Sequence, residues 1–184
     1  MKALEEVGFK TIIKFAIYSF VQVIYHQLIN HLFFLPPARK VFLILLGAKI
    51  GSDSILMDVK FFNWHHMGPR GLEVGRKCFL GDETLIDLYD SVILEDNVTL
   101  GQRVLILTHT NVGYHDHPLQ KYFPKKSKKV VLKNGCFIGA GTIILPGIVV
   151  SENAFIGAGS VVTTDVPPNS VFAGVPAKLV RKLT

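Results

Sequence analysis

From Leu132 onward an aliphatic residue returns at every sixth position: Leu132, Ile138, Ile144, Val150, Ile156 and Val162. Small residues follow four places after several of them, at Cys136, Thr142, Ala154 and Ser160, and Gly139 and Gly157 directly follow two of the aliphatics. A strand alternates with period two and a helix with period 3.6, so neither accounts for a strict six. A coil with three short flat faces per turn does account for it, with one inward aliphatic per face stacked on its counterpart a full turn away. The beat also runs earlier, through Val74, Leu80 and Ile86 and through Leu94, Leu100 and Ile106, and Ile50 opens a first rung. The step from Ile86 to Leu94 is eight, so one corner bulges, and the step from Ile106 to Leu132 is 26, so a long loop leaves the coil there. The competing reading, a Val/Ile-rich sandwich with glycine turns, leaves the register of the glycines and small residues unexplained. The pattern therefore predicts an all-β fold, a parallel β-helix of hexapeptides with an N-terminal apolar helical segment.

The N-terminal segment follows a different rule. Residues 11–35 are mostly apolar, with Lys14 the single charge. Ser19, Gln22, His26 and Asn30 lie three and four apart, with Gln27 and His31 beside them, a polar stripe on a helix. The run is long enough to span a bilayer, but the stripe favours a helix lying in the membrane interface or packed on a partner. Pro36 and Pro37 are expected to end it, with a second short helix over 38–48 leading into the coil. Two parts result: residues 1–48, helical and membrane-associated or oligomer-packing, and residues 49–184, the coil with its loop 108–131 and a C-terminal tail.

Composition narrows the function classes. The 184 residues are 49% hydrophobic, with a mean hydropathy of +0.37, which suits a coil whose flat walls meet other copies. The net charge is +6, and the cations cluster: Lys121, Lys125, Lys126, Lys128 and Lys129 in the loop, Lys178, Arg181 and Lys182 near the C-terminus, and Lys2, Lys10, Lys14, Arg39 and Lys40 around the apolar run. Such clusters favour an anionic small ligand or lipid head groups. Nucleic acid is not expected, because the basic stretches lack interleaved aromatics and no DNA- or RNA-binding pattern occurs. Cys78 and Cys136 fall on small corner positions and form neither a disulfide framework nor a metal spacing. No cleavable leader pattern is evident, and the expected location is the cytoplasmic face of the cell membrane.

A coil packed with aliphatics has no cleft of its own, so chemistry belongs to loops and to grooves between copies. The loop THTNVGYHDHPLQKYFPKKSKKVV carries three of the seven histidines, His109, His115 and His117. Histidine exchanges its proton near neutral pH and suits a general base on a hydroxyl or amine. His109 stands within three residues of the coil edge, where rigid rungs hold it. The spacing of His115, Asp116 and His117 suits zinc, but no third rigid ligand is in phase, so no metal site is assigned. His65 and His66 fall in an irregular link. Asp87 takes the place after an inward aliphatic where glycine usually stands, and from a groove wall it would bond acceptor hydroxyls or orient a histidine of another chain.

With these stretches together, LLGAKIGSDS, LEDNVTLGQRVLILTH and CFIGAGTIILPGIVVSENAFIGAGSVVTTDVPPNSVFAGVPAKLVRK, the chain resembles the hexapeptide-repeat acyltransferases over about residues 42–183. The likeness is to sugar O-acetyltransferases of the galactoside and maltose type and of surface-polysaccharide pathways. It implies a left-handed β-helix, a homotrimer with active sites between subunits, acetyl-CoA as donor, a saccharide acceptor and no metal. It implies His109 as catalytic base, Asp87 toward the acceptor, and Gly139, Ala140, Ala158, Thr163, Lys178 and Arg181 toward CoA; His115 and His117, deeper in the loop, are the residue pattern's own candidates for acceptor contacts. Phe137 stands where the family often has Trp, and Gly174-Val175-Pro176-Ala177-Lys178 where it has GNPAK. The competing functions are an N-acyltransferase on an amino sugar, a metal-dependent hydratase of the γ-carbonic-anhydrase type and a non-catalytic scaffold. The apolar N-terminus points to acceptors held at a membrane.

Overall fold

The inward aliphatics form three continuous columns. Ile50, Val74, Leu94, Leu132 and Val150 stack in register down one sheet. Leu56, Leu80, Leu100, Ile138, Ile156 and Phe172 stack down the second. Phe61, Ile86, Ile106, Ile144 and Val162 stack down the third. The structure, a computed structural model, describes residues 9–29 and 36–184. It is a left-handed parallel β-helix of about five turns, each turn contributing one short strand to each sheet. Removing an aliphatic of this size from water is worth about 1.5–3 kcal/mol. The columns, nearly all fully buried from Leu56 to Val162, are the core.

The eight-residue step is a real corner. After β6 (Thr84–Asp87) the chain buries Leu88 before entering β7 (Val92–Leu94). The long loop departs from the same corner one turn later, after β9 (Leu105–Ile106). It runs out as β10 (His109–Thr110) and back as β11 (Lys126–Ser127), an antiparallel pair. It then rejoins the coil at β12 (Val130–Leu132), directly on β7. At the far end β18 (Ser170–Ala173) and β19 (Lys178–Lys182) close the second sheet as an antiparallel hairpin.

The first rung is more elaborate than the beat suggests. Its third strand, β3 (Val59–Phe62), leads through Asn63 into a helical turn, α3 (Trp64–Met67), and a 3-10 turn, Gly68–Gly71. Two helices cover this end. α1 (Phe9–Val23) passes into a π-helical turn, Ile24–Ile29. Its inner face reaches the coil: Gln22 Nε2 donates to the Phe61 carbonyl at 2.8 Å and the Tyr25 hydroxyl to the Val59 carbonyl at 3.1 Å. Its outer face leaves Phe9, Ile17, Phe20 and Val23 exposed. Of the expected polar stripe, Gln22 belongs to the packed face, whereas Asn30, His31 and the side chain of His26 lie outside the described residues. The second helix, expected over 38–48, is α2 (Pro36–Leu45): Pro36 and Pro37 open it, since a proline in the first helical turn gives up only an N–H that has no partner there, while the end of the first helix lies outside the described residues. No described helix is long and apolar enough to cross a membrane.

Candidate active site

The corner bulge sets the site. Asp87 ends β6 fully buried, and its two carboxylate oxygens accept four hydrogen bonds. Oδ1 takes Asn63 Nδ2 at 2.8 Å and the Tyr89 amide at 3.0 Å. Oδ2 takes the Thr108 amide at 3.0 Å and His109 Nδ1 at 2.5 Å. Burial pushes this carboxyl upward, but the bonds from Asn63, His109 and Thr108 outweigh it and hold Asp87 below the ordinary carboxylate range. Thr108 locks the corner further. Its hydroxyl donates to the Asp87 carbonyl at 3.1 Å and accepts from the Asp90 amide at 3.0 Å.

His109 is thus fixed at Nδ1. Its ring face lies on Tyr89, centroids 4.4 Å apart and planes 14° from parallel. Tyr89 stacks in turn near His66 at 3.7 Å, and His66 near His65 at 4.2 Å. A carboxylate at neutral pH can only accept, so Nδ1 carries the imidazole proton and Nε2 keeps the lone pair. Held by a rigid acid and a stacked ring, with its side chain partly open to solvent, His109 has the arrangement of a general base. His66 is pushed down to about 4, first by burial and then by His65, Lys125, Lys14 and His109. His65 is lowered too, by burial and then by Lys14 and Lys125.

The expected acceptor role of Asp87 is therefore corrected. It has no exposed surface, its oxygens are committed to its own chain, and the histidine it orients is its own His109. His115 and His117 lie out in the exposed loop, where His117 Nδ1 accepts the Leu119 amide at 3.1 Å. Among the described residues no three His, Cys, Asp or Glu side chains are grouped to hold a metal ion. Asn63, Tyr89 and Thr108 were not marked by the hexapeptide pattern. They become legible only once Phe62 and Asp87 are placed side by side, across an irregular link that hides the register.

Of the residues expected to meet CoA, Gly139, Ala140 and Ala158 fall along a second corner, between the second and third sheets. Its successive turns are linked by Arg103 N donating to Asp82 O, Gly141 N to Gln102 O and Gly159 N to Ala140 O. Gly139 is required by closeness: a Cβ there would lie 2.5 Å from the Ala158 nitrogen. Gly141 and Gly159 are different. They share a left-handed φ of 68° and 67° with Glu83 and Arg103, 58° each, in the turns below. Side chains are thus tolerated in this conformation, yet here the corner is bare, with nothing within 4 Å of an added Cβ. Below it Glu83 and Arg103 pair across the turns and, with Gln102, Ala140 and Gly141, line a groove of about 520 Å³. Lys178 pairs with Ala173, which packs beside Gly157 at the top of this corner, while Arg181 lies further along β19 opposite Val171. Thr163 follows β17 (Val161–Val162) on the other edge of the third sheet, the edge from which the chain runs on to His109 one turn below Leu145. Within one chain, the bare strip and the imidazole therefore stand on opposite edges of one face.

A parallel coil of hexapeptides bearing an acid-oriented histidine where its one long loop departs defines a class, the hexapeptide-repeat transferases. Residues 129–164 match the family described as bacterial transferase hexapeptide (six repeats). The chain is 32% identical to Protein CapG of Staphylococcus aureus over 79% of its own length and 78% of that protein, and it belongs to this family. It is also 32% identical to the galactoside O-acetyltransferase of Escherichia coli over 74% of its own length, and the match spans 64% of that enzyme. A solved galactoside acetyltransferase in complex with coenzyme A shares the fold, with a TM-score of 0.75 and 23% identity over 96% of this chain and 84% of that one.

Proposed function

We propose that the chain transfers an acetyl group from acetyl-CoA to a hydroxyl of a saccharide, with His109 as the general base. The observation that carries this reading is the 2.5 Å contact from His109 Nδ1 to the buried Asp87, which leaves Nε2 as the basic nitrogen. Nε2 accepts the proton of the acceptor hydroxyl as its oxygen bonds to the thioester carbonyl carbon. As the C–S bond breaks, the imidazolium returns that proton to the departing thiolate, leaving an acetyl ester and free CoA thiol. Asp87 stays ionised throughout and stabilises the imidazolium between the two transfers.

The bare strip supports the donor assignment. Ala140, Gly141, Ala158 and Gly159 carry nothing larger than a methyl group, which suits a thin flexible arm held by backbone groups. Lys178 and Arg181 supply cations for phosphate near and beyond its top. Strip and imidazole stand on opposite edges of a face within one copy. The reading therefore includes a homotrimer in which His109 of one subunit meets the strip of the next. The exposed Tyr114, Leu119, Tyr122 and Phe123 of the loop are apolar surface of the kind subunits cover. The exposed apolar side of α1 supports attachment at a membrane face, and with it a surface-polysaccharide or lipid-linked saccharide as acceptor.

The test is an acceptor screen with labelled acetyl-CoA on the wild-type chain and on His109→Ala. Loss of at least ~100-fold in transfer is expected, the lower range for a general base. Turnover unchanged by the substitution would remove His109 from the reaction.

A further inference from the structure

The surroundings of His109 carry a charge that the transfer reaction itself does not require. Lys125 Nζ stands 4.7 Å from the centroid of Tyr89, the ring stacked on His109. Lys14 comes from a different element, α1, and its Nζ donates to the His66 carbonyl at 3.0 Å. Both cations act on His65 and His66, and every charged neighbour that moves these two histidines is basic. Neither adjacent acid forms an ion pair with Lys14 or Lys125, and Asp87 faces His109 instead. Asp87 is buried with both oxygens engaged, and Asp90 Oδ1 accepts the Ser91 amide at 2.7 Å. Among the described residues Lys49, Lys60, Arg76, Arg103 and Lys133 form ion pairs with carboxylates, whereas Lys14, Lys125, Lys126, Lys128 and Lys129 form none. A lysine over an aromatic face still directs N–H donors outward.

We propose that the acceptor carries an oxyanion, phosphate or carboxylate, which seats against Lys125 and Lys14 while its hydroxyl meets His109. This rests on the acetyl-transfer reading above and names the substrate class for the same site. A neutral glycoside makes no use of two cations gathered beside the base. A sugar joined through phosphate to a nucleotide or lipid, or a uronic acid, neutralises them. The field is local, so the preference it creates weakens as salt screens it, the Debye length falling from about 10 Å at 0.1 M to about 3 Å at 1 M.

The experiment compares kcat/KM for methyl galactoside, galactose 1-phosphate and methyl galacturonoside at low and high salt. The wild type is expected to favour at least one acidic acceptor over the neutral one by about tenfold or more, a preference that shrinks at 1 M salt; the phosphate and uronic-acid arms tell the two sources apart. Lys125→Gln, in an exposed loop, is expected to bring that ratio toward one, and Lys125→Arg to keep it. Calorimetric titration of the CoA-saturated protein with galactose 1-phosphate and with methyl galactoside reads the same preference without chemistry. Preferential binding of the phosphate without turnover would uphold the subsite while sinking the transfer reading. Equal kcat/KM for acidic and neutral acceptors, a ratio untouched by Lys125→Gln, or a change confined to the KM of acetyl-CoA would overturn the inference.

Discussion

Asp87 and His109 are 22 residues apart in sequence and 2.5 Å apart in space, one ending a strand of the second turn and the other leaving the third. The contact exists because both turns bulge at the same corner, so the carboxylate of one turn lies under the loop that departs from the next. It sets which nitrogen of the imidazole is basic.

Replacing that carboxylate tests the assignment. An asparagine at 87 keeps the shape, but its amide can donate to Nδ1, which moves the ring proton to Nε2 and removes the base. Asp87→Asn is expected to lower kcat by about 100-fold or more with a smaller change in acceptor KM. Steady-state kinetics, with a melting curve to confirm folding, check this; an unchanged kcat would show that Asp87 does not govern the tautomer.

The empty corner makes a separate prediction. Glu83 and Arg103 show that side chains fit the left-handed conformation shared by Gly159. Gly159→Glu should therefore fold while placing a carboxylate across the strip and repelling phosphate. CoA affinity measured by calorimetry is expected to fall at least about tenfold, and an unaltered affinity would move the donor elsewhere.

The histidine stack gives the protein a pH dependence with a definite sign. His66 titrates at about 4 in the folded chain, below its ordinary 6.5, so the unfolded chain binds the proton more readily between these values. Stability contributed by the neutral ring is present above 6.5 and is lost as pH falls toward 4. Asp87, held below the carboxylate range, loses its contribution at still lower pH. Melting temperatures between pH 4 and 7 are expected to decline more steeply in the wild type than in His66→Gln. Parallel curves would show that His66 is not the group responsible.

The outer face of α1 is the feature that would meet a lipid surface. Phe9, Ile17 and Phe20 are more than half exposed, at 76%, 57% and 67%. The wild type is expected to float with anionic phospholipid vesicles, and Ile17→Ser with Phe20→Ser to remain in the aqueous fraction. Equal flotation of the two would leave this face for contact with another copy.

The coil was legible because the sixfold period is imposed by close packing: each inward aliphatic must meet its counterpart one turn away, so Leu132 predicts Val150 and Ile138 predicts Ile156. His109 was legible as the histidine nearest the coil edge. The role of Asp87 was read only halfway, as an exception to the glycine pattern, because burial and partner choice depend on how two irregular corners overlie one another. Asn63 and Tyr89 stayed hidden for the same reason. Asn63 takes a left-handed φ of 54° beyond a strand, and Tyr89 sits in the two-residue excess of the bulge, where the sixfold rule assigns no position. Pro36 and Pro37 fall inside the second helix and not before it, because a proline that stops one helix and one that starts another leave similar marks in sequence.

Beyond His109 the chain leaves the coil and re-enters it at a single corner, and β12 pairs with β7 as though nothing had intervened. The column from Leu94 to Leu132 is complete without any contribution from the excursion. The hairpin is thus a cassette: a lineage can lengthen, recharge or exchange it, and so retune what approaches the imidazole, while the stacked frame beneath keeps every one of its layers.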